Sequence, residues 1–275
     1  MLTTETISLT QVVSLAVAGV LCICLPVAAA IYWCKTRRAR IAPLFVGMLT
    51  FILFAQVLES ALHYVCLLSD NAVSRAIGGS TVLYMLYGAL AAGVFEETGR
   101  YVAFRTLLRR YPERDAAVTY GIGHGGWEAI QVVGISFVLY AMAAQLVRSG
   151  NLDAVNALLS TGRGGASVDS AQQLEQLLGL IREATPLTCA LSVAERIFAM
   201  LLHIALSIFV FVAARDKTKR RYVLLAIVLH AVADAPVALG QRGVLPGWAV
   251  ELWIAVFALW CLRAARKRYL ELLDA

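Results

Sequence analysis

Long apolar stretches broken by short polar connections dominate the chain, and their lengths decide the elements. Seven stretches, 11–34, 41–66, 80–104, 116–147, 185–214, 222–240 and 246–262, each hold at least the roughly 17 residues that a helix needs to cross a hydrocarbon core. They predict an all-α polytopic membrane protein, a bundle of about seven transmembrane helices forming one domain over 1–275, with its chemistry-bearing spans between 80 and 240. One connection is long, 148–184. Within it Gly162 to Gly165 reads as a turn, and Leu174, Leu177, Leu178 and Ile181 then repeat at i, i+3, i+4 and i+7. That spacing predicts an amphipathic helix lying on the outer membrane surface. No internal repeat or low-complexity tract is visible.

Composition agrees with the pattern. Hydrophobic residues make up 60% of the chain, mean hydropathy is +0.74, and only 15% of residues are charged, where a soluble domain carries roughly 25%. The net charge of +6 would suit a nucleic-acid partner, but its placement excludes that reading. Basic residues gather on alternate connections, Lys35 to Arg40, Arg105 to Arg114, Arg215 to Arg221 and Arg263 to Arg268. Those four clusters hold 17 Lys and Arg, against 5 on the opposite side. The positive-inside rule then places the C-terminus in the cytoplasm and the N-terminus outside, as an odd number of spans requires. The first ten residues carry no Lys or Arg, so the first apolar run is expected to stay as a span rather than act as a signal peptide. The cysteines Cys22, Cys24, Cys34, Cys66, Cys189 and Cys261 lie in or beside apolar segments and form no CxxC pair. Neither a disulfide framework nor a thiolate zinc site is indicated.

Ionisable residues inside the spans carry the functional signal. Each costs roughly 2.5–3.5 kcal/mol at a span centre on insertion scales, yet several are kept. Span three has Glu96, Glu97 and Arg100; span four His124 and Glu128; span five Glu195, Arg196 and His203; span six His230 and Asp234; span two Glu59 and His63. Glu96–Arg100, His124–Glu128 and His230–Asp234 are i, i+4 pairs, so each pair shares a helix face. Counted from the basic ends, Glu96, His124, His203 and His230 all fall roughly 12–17 Å deep at 1.5 Å per residue. The spacing predicts one polar cavity, open to the cytoplasmic side, lined by Glu96, Glu97, Arg100, His124, His203, His230 and Asp234. Glu59 and His63, toward the outer end of span two, and Glu195 and Arg196, about two turns beyond His203, read as structural. Gly121, Gly123, Gly125 and Gly126 around His124 permit close helix approach or leave room for water or a substrate backbone.

In order and spacing these motifs resemble an intramembrane protease superfamily. EETGR (96–100) resembles the EExxR/K motif of CAAX prenyl endopeptidases and PrsW-type proteases; GIGHGGWEA (121–129) resembles the second PrsW motif; HAVAD (230–234) resembles the final HxxxN/D motif. Together with a span-five His, the set is most similar to the YhfC family of intramembrane metalloproteases. The same region also resembles the Aph-1 subunit of γ-secretase, a scaffold that lacks the paired glutamates. The resemblance implies a peptidase in a prokaryotic plasma membrane, acting on transmembrane or membrane-proximal protein substrates among membrane lipids. Its catalytic residues would be Glu96, Glu97, Arg100, His124, Glu128, His203, His230 and Asp234. Glu96 would be the general base and His124 would hold the nucleophilic water. His124, His203 and His230 are the candidate ligands for Zn2+, although one branch of the superfamily implies a metal-free glutamate mechanism. A carboxylate is a poor oxyanion donor, so Asp234 suits orienting His230 or binding a metal. Two alternatives remain open at this point, a non-catalytic scaffold and a proton or metal-ion transporter.

Overall fold

The computed structural model describes residues 7–151, 153–155, 157 and 170–272; the expected turn at Gly162 to Gly165 lies outside them. The described residues are helical, with no strand among them. The long helices are α1 (Leu9–Arg37), α2 (Ala42–Leu68), α4 (Thr81–Arg105), α5 (Asp115–Arg148), α7 (Pro186–Arg215), α8 (Arg221–Gln241) and α9 (Gly247–Glu271). Each coincides with one of the seven expected spans. Six have the length and hydropathy of a membrane crossing by themselves. The seventh, α4, reaches that standard together with the short helix α3 (Ala72–Gly78), from which it turns by 108°. The apolar pattern gives no sign of α3. It begins at a capping box, where the Asn71 side chain accepts from the Ser74 amide and the Asn71 amide donates to the Ser74 hydroxyl.

Two compact units are present. One draws on the ranges Met1–Leu25 and Ala129–Ala194, the other on Pro26–Glu128 and Glu195–Ala275. In the first, α6 (Ser170–Glu183) carries the expected amphipathic stripe. The stripe does not spread on a lipid surface. Leu177 and Ile181 are buried with Leu15, Ala18, Ala141 and Ala144, and Leu174 and Leu178 pack against that cluster. The small residues on α5 make room for the leucines, and Gln11 Nε2 donates to the Ile181 carbonyl at 3.1 Å, so protein rather than lipid covers the apolar face.

The second unit holds the chemistry. Its core runs along α7 from Met200 to Ala214 and includes Phe104, Leu108, Tyr120 and Phe211. The apolar window of α7 is 78% buried inside the protein, against 22% for that of α2, so α7 is sheathed by protein while α2 turns much of its surface to lipid. Glycines set how closely α2 and α5 cross. A Cβ on Gly123 would run into the Leu44 carbonyl, and one on Gly47 into the Tyr120 carbonyl. Gly123→Ala is therefore expected to push the helices apart and lower stability by about 1–3 kcal/mol. Gly88→Ala, whose Cβ would meet nothing within 4 Å, should be neutral or stabilise by up to about 1 kcal/mol through helix propensity. Unfolding followed in detergent compares the two; an equally stable Gly123→Ala protein would contradict the close crossing.

α8 passes through Pro236 without ending. Proline has no amide hydrogen, so the carbonyl of Val232, four residues back, loses its helical donor. Trp253 Nε1 on α9 supplies a replacement at 3.2 Å. The segment carrying His230 and Asp234 thereby stays helical and keeps both side chains on one face.

Candidate functional site

Four helices bring their ionisable residues together inside the second unit. Glu96, Glu97 and Arg100 come from α4, His124 and Glu128 from α5, Arg196 and His203 from α7, and His230 and Asp234 from α8. Glu96, Glu97, Arg100, His124, His203 and His230 are all buried. Glu96 is the hub. Its Oε2 lies 2.8 Å from His124 Nε2 and 3.9 Å from both His203 Nδ1 and His230 Nε2.

The pairings differ in detail from the i, i+4 expectation. Arg100 does not bind Glu96; its Nη1 donates to Glu97 at 3.0 Å, one residue nearer in sequence. Offsets of three and four share a face equally well, and Glu96 is turned to the histidines. Glu97 is held a second time by His230 Nδ1 at 2.8 Å. Glu128 does not pair with His124. One of its oxygens accepts from Arg196 Nη1 and the other lies beside His203 Nε2, both at 2.7 Å. His230 Nε2 lies 3.4 Å from Asp234 Oδ2, the one i, i+4 pair that meets as expected.

These contacts fix the His203 tautomer. Arginine only donates, so Arg100 Nη2, 2.9 Å from His203 Nδ1, requires a bare nitrogen there. The proton then sits on Nε2, facing Glu128. On His230 Nδ1 points to Glu97, and Nε2 faces Glu96 and Asp234. A carboxylate behind an imidazole in this manner fixes its orientation.

A cavity of roughly 410 Å³ opens over the cluster, within the range of small-ligand sites. Glu96, Glu128, His203, His230 and Asp234 line it; Glu97, Arg100 and His124 do not. His124 is fully buried, edge-on to Phe51 at 5.2 Å and stacked near Tyr120 at 5.9 Å. It is placed to act through Glu96 rather than to hold a water directly. The glycines around it are filled by neighbouring chain: Gly121 abuts Ile204, and Gly125 abuts Met200 and the His203 ring.

Two corrections concern the cavity's extent. Arg196 and Glu195, expected to stand apart, line it, and Arg196 anchors Glu128 while pairing with Glu195. Arg196 lies seven residues before His203, two turns along one face, and that periodicity was a usable signal. His63 also lines the cavity, between Glu59 Oε1 at 3.3 Å and the Tyr87 hydroxyl at 2.8 Å. The cavity also extends away from the basic clusters rather than toward them. The remaining wall includes Tyr84 near the start of α4 and Gln241 at the end of α8, the ends away from the basic clusters. Toward the basic end the way is closed by Phe104, Tyr120 and Phe211, packed at ring separations of 4.7 and 5.3 Å.

Among the described residues, one group of donor atoms suits a metal ion. Glu96, His203 and His230 offer ligand atoms within 4.8 Å of one another. Glu96 thus stands where His124 was expected. Two imidazoles, one carboxylate and an open position make a familiar hydrolytic zinc set. Carboxyl groups around the cavity also outnumber guanidiniums among the described residues: Glu96, Glu97, Glu128, Glu195 and Asp234 stand beside Arg100 and Arg196. Buried charge of one sign calls for a counter-ion or for protons on the imidazoles.

Fold and site together define an integral membrane protein with a buried carboxylate–imidazole centre at the foot of a cavity. A family model described as YhfC intramembrane metalloprotease matches residues 21–257, and the chain belongs to that family. Over 265 residues it is 32% identical to a Bacillus subtilis (strain 168) protein described as uncharacterized membrane protein YhfC, covering 94% of this chain and 98% of the other. No solved structure matches significantly.

Proposed function

We propose that the chain is an intramembrane endopeptidase whose reaction centre is Glu96 with the imidazoles around it. The observation that carries this reading is the approach of three histidines to one buried glutamate oxygen, at 2.8, 3.9 and 3.9 Å, beneath an open cavity. A scaffold has no need of such a centre, and the burial of its charges would be a standing cost.

Glu96, His203 and His230 would hold a zinc ion, which when bound polarises water and the scissile carbonyl. Each neighbour then has a definite part. Glu97 accepts the His230 Nδ1 hydrogen bond and keeps Nε2 free toward the cavity. Arg100 neutralises Glu97, and its Nη2 would have to turn away from His203 Nδ1 for that lone pair to reach a metal. Glu128, anchored by Arg196, holds the other edge of His203. His124 donates to Glu96 and fixes its carboxylate plane. Asp234, more exposed than Glu96, Glu97 or Glu128, is free to accept a proton from water at the cavity floor.

A metal-free mechanism has one observation in its favour: a glutamate, not a histidine, is the hub. There Glu96 itself takes the proton from water, and His203 and His230 stabilise the tetrahedral oxyanion. The two mechanisms separate on metal content. Purified protein is expected to contain about one zinc per chain, removable by a chelator with loss of cleavage of a membrane-anchored reporter and regained on adding zinc. Full cleavage by metal-free protein would establish the glutamate mechanism instead.

We further propose that the four basic clusters face the cytoplasm, with the N-terminus outside. Cysteines at Thr218 and Arg266 should react with impermeant thiol reagents only from the cytoplasmic side, and reaction of both from outside would invert this orientation.

A further inference from the structure

The cavity over Glu96 is directional. α4 lines it from Glu96 back through Gly88 and Tyr87 to Tyr84, and α8 lines it from His230 through Asp234 and Val237 to Gln241. Both sequences lead from the reacting layer to helix ends that lack the basic clusters. Gly88 stands eight residues from Glu96, about 12 Å along the axis, and a Cβ there would meet nothing within 4 Å. The opposite route is sealed. Phe104, Leu108, Tyr120, Leu206 and Phe211 are fully buried below the site. Beyond them Arg215 donates to the carbonyls of Leu108 and Tyr111 at 2.8 and 2.7 Å, beside a separate cavity lined by Arg105, Arg109 and Lys217 that reaches only as far as Phe104.

Resting on the peptidase reading, we infer that the site takes its substrate from the face opposite the basic loops, as an unfolded juxtamembrane segment of a membrane protein. A cavity of roughly 410 Å³ admits a few extended residues and no folded domain. Its walls suit a polypeptide backbone. His63, Tyr84, Tyr87 and Gln241 offer hydrogen-bonding groups, while Leu67, Val237 and Ile254 give apolar contact for side chains. The rim is braced for that use. The Tyr84 hydroxyl donates to Gln241 Oε1 at 2.9 Å, and Arg242 stacks over the Tyr84 ring at 4.1 Å while donating to the Gly78 carbonyl at 3.0 Å. These bonds tie the end of α8 to the bend between α3 and α4. A scissile bond must descend about 12 Å from Gly88 to Glu96, eight helical residues, which an extended strand does with about four residues. Given the charge asymmetry of the loops, the face in question is the extracytoplasmic one.

The test has an arm that needs no activity. Gly88→Cys places a thiol in the cavity, and Thr218→Cys marks the basic face. Both are placed in proteoliposomes and exposed to an impermeant maleimide from one side at a time, with modification read residue by residue by mass spectrometry so that native cysteines can remain. The expected result is label at position 88 only from the side on which position 218 is protected. Label at 88 from the same side as 218, or from neither side while a permeant maleimide reacts, overturns the inference. Val237→Cys repeats the measurement should Gly88→Cys fail to fold. The second arm uses two membrane-anchored reporters with the same cleavable segment on one face or the other. Cleavage confined to the rim-side reporter supports the substrate assignment, and cleavage confined to the basic side overturns it while leaving the peptidase reading intact. If neither is cleaved, the peptidase reading and the substrate class fall together, and the thiol arm alone decides the opening.

Discussion

Glu96→Gln is expected to abolish reporter cleavage while leaving the protein folded. In the metal-free mechanism the loss is of the general base, which costs about 10²–10⁴-fold in rate; in the zinc mechanism it is of one of the three metal ligands, and metal content should fall with cleavage. The fold should tolerate the change because glutamine keeps the size of the side chain and a neutral amide is cheaper to bury than a carboxylate. The amide also retains an acceptor for His124, now 2.8 Å from Glu96 Oε2. Glu59→Gln is the matched control. Glu59 is also buried, and it pairs with His63, outside the hub. Its substitution should leave cleavage near the parent rate. A folded Glu96→Gln protein with full activity would remove Glu96 from the centre.

Arg100→Leu is expected to have the largest effect on stability. Arg100 and Glu97 have no exposed surface and meet at 3.0 Å. Breaking a buried pair by deleting one partner costs about 3–5 kcal/mol, because the other charge is left uncompensated. That figure approaches the whole stability of many domains, so the variant should express poorly or unfold early in detergent. The combination Arg100→Leu with Glu97→Gln tests the cause. It removes both charges, and the introduced amide oxygen can still accept from His230 Nδ1. Stability should return in large part, short of the parent because His203 Nδ1 loses the guanidinium 2.9 Å away. If the double variant is no more stable than Arg100→Leu, the loss comes from packing around the arginine stem rather than from charge.

The transmembrane elements were legible because a bilayer imposes a length on every helix; six of the seven expected spans needed only small adjustment at their ends, while the last, expected to stop at 262, runs on to Glu271. The shared layer of Glu96, His124, His203 and His230 was legible for a similar reason: rise per residue converts sequence position into depth. Rotation about the helix axis was less constrained. Glu96 and Glu97 both fall near the face of Arg100, and only packing decides that Glu97 takes the arginine while Glu96 meets the histidines. Depth also says nothing about which side water enters from. The closure at the basic end depends on Phe104, Tyr120 and Phe211, three aromatics from three helices that no local pattern joins. The stripe of α6 was visible in its period, but period alone does not distinguish lipid from Leu15, Ala141 and Ala144 as the covering surface. Arg196 carried a readable signal in its two-turn offset from His203.

The aromatic floor has a bioenergetic consequence. A protein that admits water to the middle of an energised membrane risks a proton leak, since titratable carboxylates and imidazoles on a water column can relay protons along it. Here the cavity reaches Glu96. Beyond it lie Tyr120, Phe104 and Phe211, with ring-to-ring separations of 4.7 and 5.3 Å, and Leu108 and Leu206 without accessible surface. A transmembrane voltage is then expected to drop mainly across this plug rather than along the cavity. Liposomes holding the intact protein should keep an imposed pH gradient, and a small polar residue in place of Phe104 should let it dissipate.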